Sequence, residues 1–191
     1  MRRSLPAVAL SLLLAACATH PPPLAGAVHS GRLAVRSDAS GSQAAHSVSG
    51  QFELSGSAAS GQLVLTSPIG TTVARARWSQ PAGALGEPSE IELEADGRTS
   101  HFDSLDAMMR QALGDSLPLA AMFDWLAGRP WPAAPATRAA DGDSFEQLGW
   151  RVDLSQFASS QLIAAERPAP PPALHVRVKL DVPETAAPGA R

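Results

Sequence analysis

Few side chains in this chain of 191 residues are of a type that does covalent chemistry, and fewer stand at a useful spacing. The single cysteine, Cys17, ends the run Leu14-Ala15-Ala16-Cys17. A thiolate is a strong nucleophile, and small residues before it leave the backbone open to a peptidase. One cysteine excludes an internal disulfide, and no Cys/His cluster has metal-ligand spacing. The five histidines, His20, His29, His46, His101 and His175, are scattered. There is no Gly-x-Ser-x-Gly elbow, no phosphate-binding glycine loop and no His-Glu-x-x-His. A Ser/His/Asp site assembled in space stays open, because such triads are geometric. The motifs point to no catalytic residue, no metal and no cofactor.

The other chemically telling stretch is apolar. Gly61 to Trp78, GQLVLTSPIGTTVARARW, reads as two strands with period-two alternation. Ser67-Pro68-Ile69-Gly70 joins them. Ser first, Pro second and Gly fourth suit a type I turn, whereas type II would force the β-branched Ile69 to positive φ. Turn tips normally carry Gly, Asn, Asp or Ser. Burying an Ile side chain is worth roughly 1.5–3 kcal/mol, so an Ile at a tip either folds back onto its own sheet or serves an apolar partner. The turn alone does not decide between them.

The N-terminus belongs with Cys17. Met1 to Cys17 has two arginines, an apolar run from Leu5 to Ala16, then small residues. That is the layout of a secretory signal, too short for a comfortable membrane span of about 20 residues. Its end resembles the bacterial lipobox, in which the cysteine is acylated and becomes the first residue. Several acyl chains, at about 0.8 kcal/mol per buried methylene, make such an anchor effectively permanent. The next residue is Ala18; an Asp there would resemble an inner-membrane retention signal, so the outer membrane is implied. Residues 17–29, with Pro21-Pro22-Pro23, read as an extended tether.

Composition bounds the rest. The length suits one domain with a sizeable core. The 17 prolines and many small residues favour strands and turns over long helices. The formal charge is −3. Without the signal segment it is −5, with 13 basic against 18 acidic side chains. An acidic balance argues against nucleic acid.

The elements follow from periodicity. Gly31–Arg36 puts Leu33 and Val35 on one face. His46–Leu54 puts Val48, Gly50, Phe52 and Leu54 together. Glu90–Ala95 alternates cleanly, and Asp96-Gly97 marks a tight hairpin returning over Arg98–Phe102. Such a run of strands forms a meander that closes toward a barrel. The period then changes. Asp103 can cap a helix with Leu105, Met108, Met109, Ala112 and Leu113 on one face, stopped by Gly114. A second helix starts near Pro118, with Leu119, Met122, Phe123 and Leu126 on one face. These one-sided helices either complete an ordinary core or cover an apolar cavity, for which adaptable Met side chains are suited. Residues 129–143 read as a loop. Strands resume at Leu148–Leu154, with Leu148, Trp150, Val152 and Leu154 on one face, then at Gln161–Glu166 and Leu174–Leu180.

Several of these pieces together resemble one family. They are Leu14-Ala15-Ala16-Cys17, Gly31–Arg36, Leu63-Val64-Leu65-Thr66-Ser67-Pro68-Ile69-Gly70-Thr71-Thr72, Leu117-Pro118-Leu119 through Trp125-Leu126-Ala127-Gly128, and Leu174–Leu180. The family is LolB, outer-membrane receptors that take lipoproteins from a periplasmic carrier. The resemblance implies a mainly β fold with short helices, an unclosed antiparallel β-barrel with a helical lid over an apolar cavity. It divides the chain into a signal peptide (1–16), a lipid-anchored tether (17–29), a barrel domain (30–181) and a flexible tail (182–191). It implies a lipidated Cys17 and an insertion loop of Pro68, Ile69 and Gly70, with Ile69 where the family usually has Leu. Phe52, Leu54, Leu63, Leu65, Met108, Met109, Met122, Phe123 and Trp150 are the expected lining of the acyl-chain cavity. The implied partners are a LolA-like carrier, acylated client lipoproteins and outer-membrane lipid, with the protein a monomer. Two other readings remain at this point: a ligand-free β-rich scaffold lipoprotein, and an envelope esterase.

Overall fold

The structure, a computed structural model, describes residues 26–42, 44–81 and 86–182. The signal segment, Cys17 and the tail from 183 onward lie outside the described residues.

Six strands come first: β1 (Ala27–Ser37), β2 (His46–Gly56), β3 (Gly61–Thr66), β4 (Thr72–Ser79), β5 (Glu90–Ala95) and β6 (Arg98–Phe102). Helices α1 (Leu105–Leu113) and α2 (Leu119–Leu126) follow. Then come β7 (Ala136–Arg138), β8 (Ser144–Gln147), β9 (Trp150–Asp153), the single-turn α3 (Phe157–Ser160), β10 (Leu162–Arg167) and β11 (Leu174–Leu180). All eleven strands form one sheet in the order β6-β5-β4-β3-β2-β1-β11-β10-β9-β8-β7. Every pairing is antiparallel. The first and last strands meet in the middle, from Gly31 opposite Leu180 to Ser37 opposite Leu174. The edges, β6 and β7, do not pair, so the barrel is unclosed as the resemblance implied. The chain crosses between those two edges through α1 and α2.

One face of the sheet is apolar because the central strands alternate. Leu33 and Val35 of β1, Phe52 and Leu54 of β2, and Val176 and Val178 of β11 are buried, while Arg32, Arg36 and Arg177 are exposed. The helices lay their apolar stripes on that face. Met108, Met109 and Leu113 of α1, with Leu119, Met122, Phe123, Trp125 and Leu126 of α2, join the same core. The α1 cap is Ser104, one residue later than expected: its extended backbone lets Oγ accept from the Ala107 N–H at 3.1 Å. Gly114, at φ 78°, closes the helix through its N–H to the Arg110 carbonyl. Helix α2 starts directly after Pro118, as expected.

Three expectations need correction. Strand β1 starts at Ala27, four residues before its alternation becomes visible, because Ala27–Ser30 pair with Glu53–Gly56 of a longer β2. Residues 129–143 are not all loop: Ala136–Arg138 form the edge strand β7 against β8. The single strand expected at 148–154 is a hairpin. Leu148 and Gly149 adopt φ 54° and 77°, the double left-handed geometry of a tight turn, and leave Leu148 exposed while Trp150 and Val152 are buried. Apolar alternation running through the turn concealed it.

Candidate functional site

The elements that carry the site are the β3–β4 hairpin and the two helices. The hairpin turn closes with the Gly70 N–H donating to the Ser67 carbonyl at 2.9 Å and the Ser67 N–H to Thr71 at 2.8 Å. Gly70 sits at φ 87°, and Ile69 is not among the residues at positive φ. This is the type I turn expected from the residue order. The pairing register shifts after Leu65, the mark of a bulge that re-aims the turn. Gly50 makes room for this, since a Cβ there would stand 2.5 Å from the Thr66 carbonyl oxygen. The outcome is that Ile69 is 90% exposed. It does not fold back onto the sheet.

Beneath the helices lies an apolar cavity of about 40 Å³. Phe52 and Leu54 of β2, Leu63 and Leu65 of β3, Met108 and Met109 of α1 and Met122 of α2 all line it. Phe123 and Trp150 do not. Phe123 packs edge-on to Trp78 at 6.2 Å between ring centroids. Trp150 packs against Trp125 at 6.1 Å, with the Arg167 guanidinium 5.9 Å from its ring centroid. Periodicity assigned both to the inner face correctly but could not say which part of that face. Leu33, Leu93, Leu117 and Leu126 line the cavity as well; strand alternation marks Leu33 and Leu93 and helical period marks Leu126, while Leu117 lies in the connection before α2. The half-exposed part of the wall is Val48, Leu63, Leu65 and Ala74. Three of these lie on the two strands that carry the Ile69 turn.

The space is small for its lining. A water needs roughly 10–15 Å³ by this measure, so the cavity holds a few waters' worth of room, not a fatty acyl chain. A second apolar void of about 10 Å³ lies on the other side of Leu117, Met122 and Leu126, toward Ile163, Val176 and Val178. Helix α2 and its leading residue thus divide one apolar interior in two.

The clamp on α2 is polar and was not visible in the sequence. Gln147 is buried and satisfies four groups: its Oε1 accepts from Trp125 Nε1 at 2.8 Å and the Trp131 N–H at 2.9 Å. Its Nε2 donates to the Trp131 and Ala134 carbonyls, each at 2.7 Å. The α1–α2 connection is held by Asp115, whose carboxylate pairs with Arg167 at 2.7 Å. His29 is partly buried, and its Nε2 has no partner. Burial lowers its pKa below the ordinary value, a backbone hydrogen bond with Phe123 partly offsets this, and the charge of Arg129 lowers it further. No cluster of His, Cys, Asp and Glu suited to a metal occurs among the described residues.

The family model for the outer membrane lipoprotein LolB matches residues 28–182, from the second residue of β1 to just past β11. The chain belongs to the LolB family. It is 34% identical to the outer-membrane lipoprotein LolB of Bordetella petrii, with 93% of this chain and 91% of the relative aligned. It is 30% identical to LolB of Thiobacillus denitrificans, over 83% and 86%. LolB of Chromobacterium violaceum is 31% identical over 76% and 78%. The family match covers the hairpin, both helices and every cavity residue named above. The exposed turn and the lidded cavity thus both lie within the matched segment.

Proposed function

We propose that this protein is a lipid-anchored outer-membrane receptor that accepts acylated lipoproteins from a periplasmic LolA-like carrier, holds their acyl chains under α1 and α2, and passes them into the bilayer. The observation that carries the reading is the pairing of a wholly apolar, helix-covered cavity with a fully exposed Ile69 on the hairpin forming its half-exposed wall. Cys17 is the lipidated residue. Residues 30–181 are the receptor domain.

The mechanism is a sequence of affinities. Acyl chains do not cross water bare, so the receptor must hold them better than the carrier does. Each 1.4 kcal/mol of difference gives about tenfold, and two extra buried methylenes supply it at roughly 0.8 kcal/mol each. No nucleotide is needed. Uptake requires the cavity to enlarge. Unbranched Met108, Met109 and Met122 repack at low cost, and a shift of α2 merges the two voids it now separates. Ile69 then gives the chains an apolar contact at the bilayer surface.

The transfer is non-covalent, and the protein is read as no enzyme. His101 faces Glu92 and His175 faces Asp38 on exposed strand faces, and among the described residues neither is hydrogen-bonded to a serine. The small cavity favours one rival, a scaffold with a filled core. One experiment separates them. A carrier loaded with an acylated lipoprotein is mixed with the chain starting at Ala18, and the location of the client is followed. Movement to the receptor is the expected result. A client that stays on a carrier known to release elsewhere favours the filled core.

A further inference from the structure

The outer face of the barrel carries a second feature beside Ile69. A groove of about 470 Å³ runs between the turn and the centre of the sheet, lined by Pro68, by Gln51 of β2, Arg32 of β1, Arg177 and Lys179 of β11, and Leu162 of β10. The strand register concentrates the charge. Arg32 stands directly opposite Lys179, and Ala34, two residues along, stands opposite Arg177. Like charges facing one another weaken a sheet. No carboxylate lines the groove.

Two other arginines of the outer face are neutralised. Arg36 pairs with Asp38 at 3.1 Å, and Arg75 with Glu94 at 3.5 Å. Arg32 and Arg177 make no ion pair among the described residues. Lys179 donates to the Ser160 carbonyl, which leaves its charge uncompensated. This positive cluster sits on a chain whose net charge is −3, so it is a local arrangement and not a general surface property.

We propose that this groove is a docking site for the phosphates of anionic phospholipids, and that it fixes how the barrel lies on the bilayer. The proposal rests on the reading of Ile69 as a tip that enters the membrane. An apolar residue beside unpaired cations matches the layering of an interface, with hydrocarbon below and phosphates above. An acidic protein partner would also satisfy the cations, but a phosphate layer does so in the same plane that a membrane-entering Ile69 defines.

The vesicle measurement needs neither client nor carrier; a second measurement follows capture by an acidic carrier. The chain starting at Ala18 keeps every strand and helix, all of which fall within Ala27–Leu180. Its flotation is measured with vesicles of phosphatidylcholine alone and with one lipid in three replaced by phosphatidylglycerol. The expected result is tighter binding to the anionic vesicles, weakening with salt. Arg32→Gln and Arg177→Gln should each cost about fivefold and together ~thirtyfold, at the usual contribution per surface cation. Arg36→Gln, outside the groove, should bind as the unaltered chain does. Ile69→Glu should lower binding to both vesicles yet keep the preference for the anionic one. Thermal unfolding of the exposed-face variants checks that the fold persists. The proposal is overturned if the double variant floats with anionic vesicles as well as the unaltered chain. It is equally overturned if vesicle binding is unchanged while capture by an acidic carrier is lost. Failure here leaves lipoprotein transfer standing, and failure of transfer leaves this binding measurable.

Discussion

The indole N–H of Trp125 donates to the Oε1 of Gln147 at 2.8 Å, with both residues about 2% exposed. Helix α2 is therefore fastened to β8, next to the edge of the sheet, by a bond that water does not reach. A hydrogen bond of this kind is worth little net, but its unsatisfied remnants are costly, about 1–3 kcal/mol for each stranded group. Replacing Gln147 by Leu keeps the bulk and strands Trp125, the Trp131 amide and two carbonyls. Urea unfolding should show a loss of about 3 kcal/mol or more. A loss below about 1 kcal/mol would mean that the loop rehydrates and the clamp is not a clamp.

Asp115 and Arg167 hold the other end of the helical pair. Their side chains are 16% and 10% exposed, and removing one member of a buried pair typically costs 3–5 kcal/mol. Partial exposure puts Asp115→Asn near the lower end, about 3 kcal/mol. Because Asp115 lies between α1 and α2, amide hydrogen exchange in both helices should quicken with the substitution. Exchange unchanged in the helices would confine the pair to a local role.

Ile69 contributes nothing to the core, so Ile69→Glu should shift stability by no more than about 0.5 kcal/mol. The same variant should still take client from the carrier but fail to deliver it to vesicles. Delivery at the normal rate would remove the turn from the mechanism.

Met108 is 1% exposed and faces the cavity. Met108→Ala should cost about 2–5 kcal/mol and enlarge the space beneath α1. Uptake by the surviving folded protein should be retained or faster, measured as client transferred per minute. A loss of uptake at a temperature where the variant is folded would argue that Met108 makes a contact the chain needs.

His29 gives the protein a pH dependence of known sign. Its folded pKa lies below the ordinary value of about 6.5, so the unfolded chain binds the proton more readily. The stabilisation is complete above the unfolded value and is lost as pH falls from there through the lower folded value. The urea midpoint should drop between neutral and mildly acidic pH, and His29→Gln should flatten that part of the profile. A profile identical in the variant would assign the slope to other groups.

Legibility followed the range of the interactions involved. The β5–β6 hairpin was readable residue by residue, because alternation and Asp96-Gly97 are local signals, and Asp96 and Gly97 do adopt φ 52° and 71°. The Ser67–Gly70 turn was readable for the same reason. Leu148-Gly149 was not, since an apolar residue at a turn tip mimics continued alternation. Inner-face membership of Phe123 and Trp150 was readable, but their distance from the cavity depends on where β9 and α2 fall across the sheet. Gln147 carried no signal at all. Its partners lie 13 to 22 residues away, and a glutamine among apolar residues looks like a surface position.

The place where β1 begins sets a reach. Ala27, opposite Gly56, stands at one end of the sheet, whereas Pro68 borders the groove at the level of Ala34 and Gly50. About seven strand residues separate the two, roughly 23 Å at 3.3 Å each. The ten residues from Cys17 to Ala27 span at most about 33–36 Å when drawn straight. With the proposed anchor at Cys17, that line is longer than the separation, so the barrel could lie over and set Ile69 on the bilayer that holds the anchor. Shortening that line by half would leave the tip hanging above the surface, with the barrel itself unchanged.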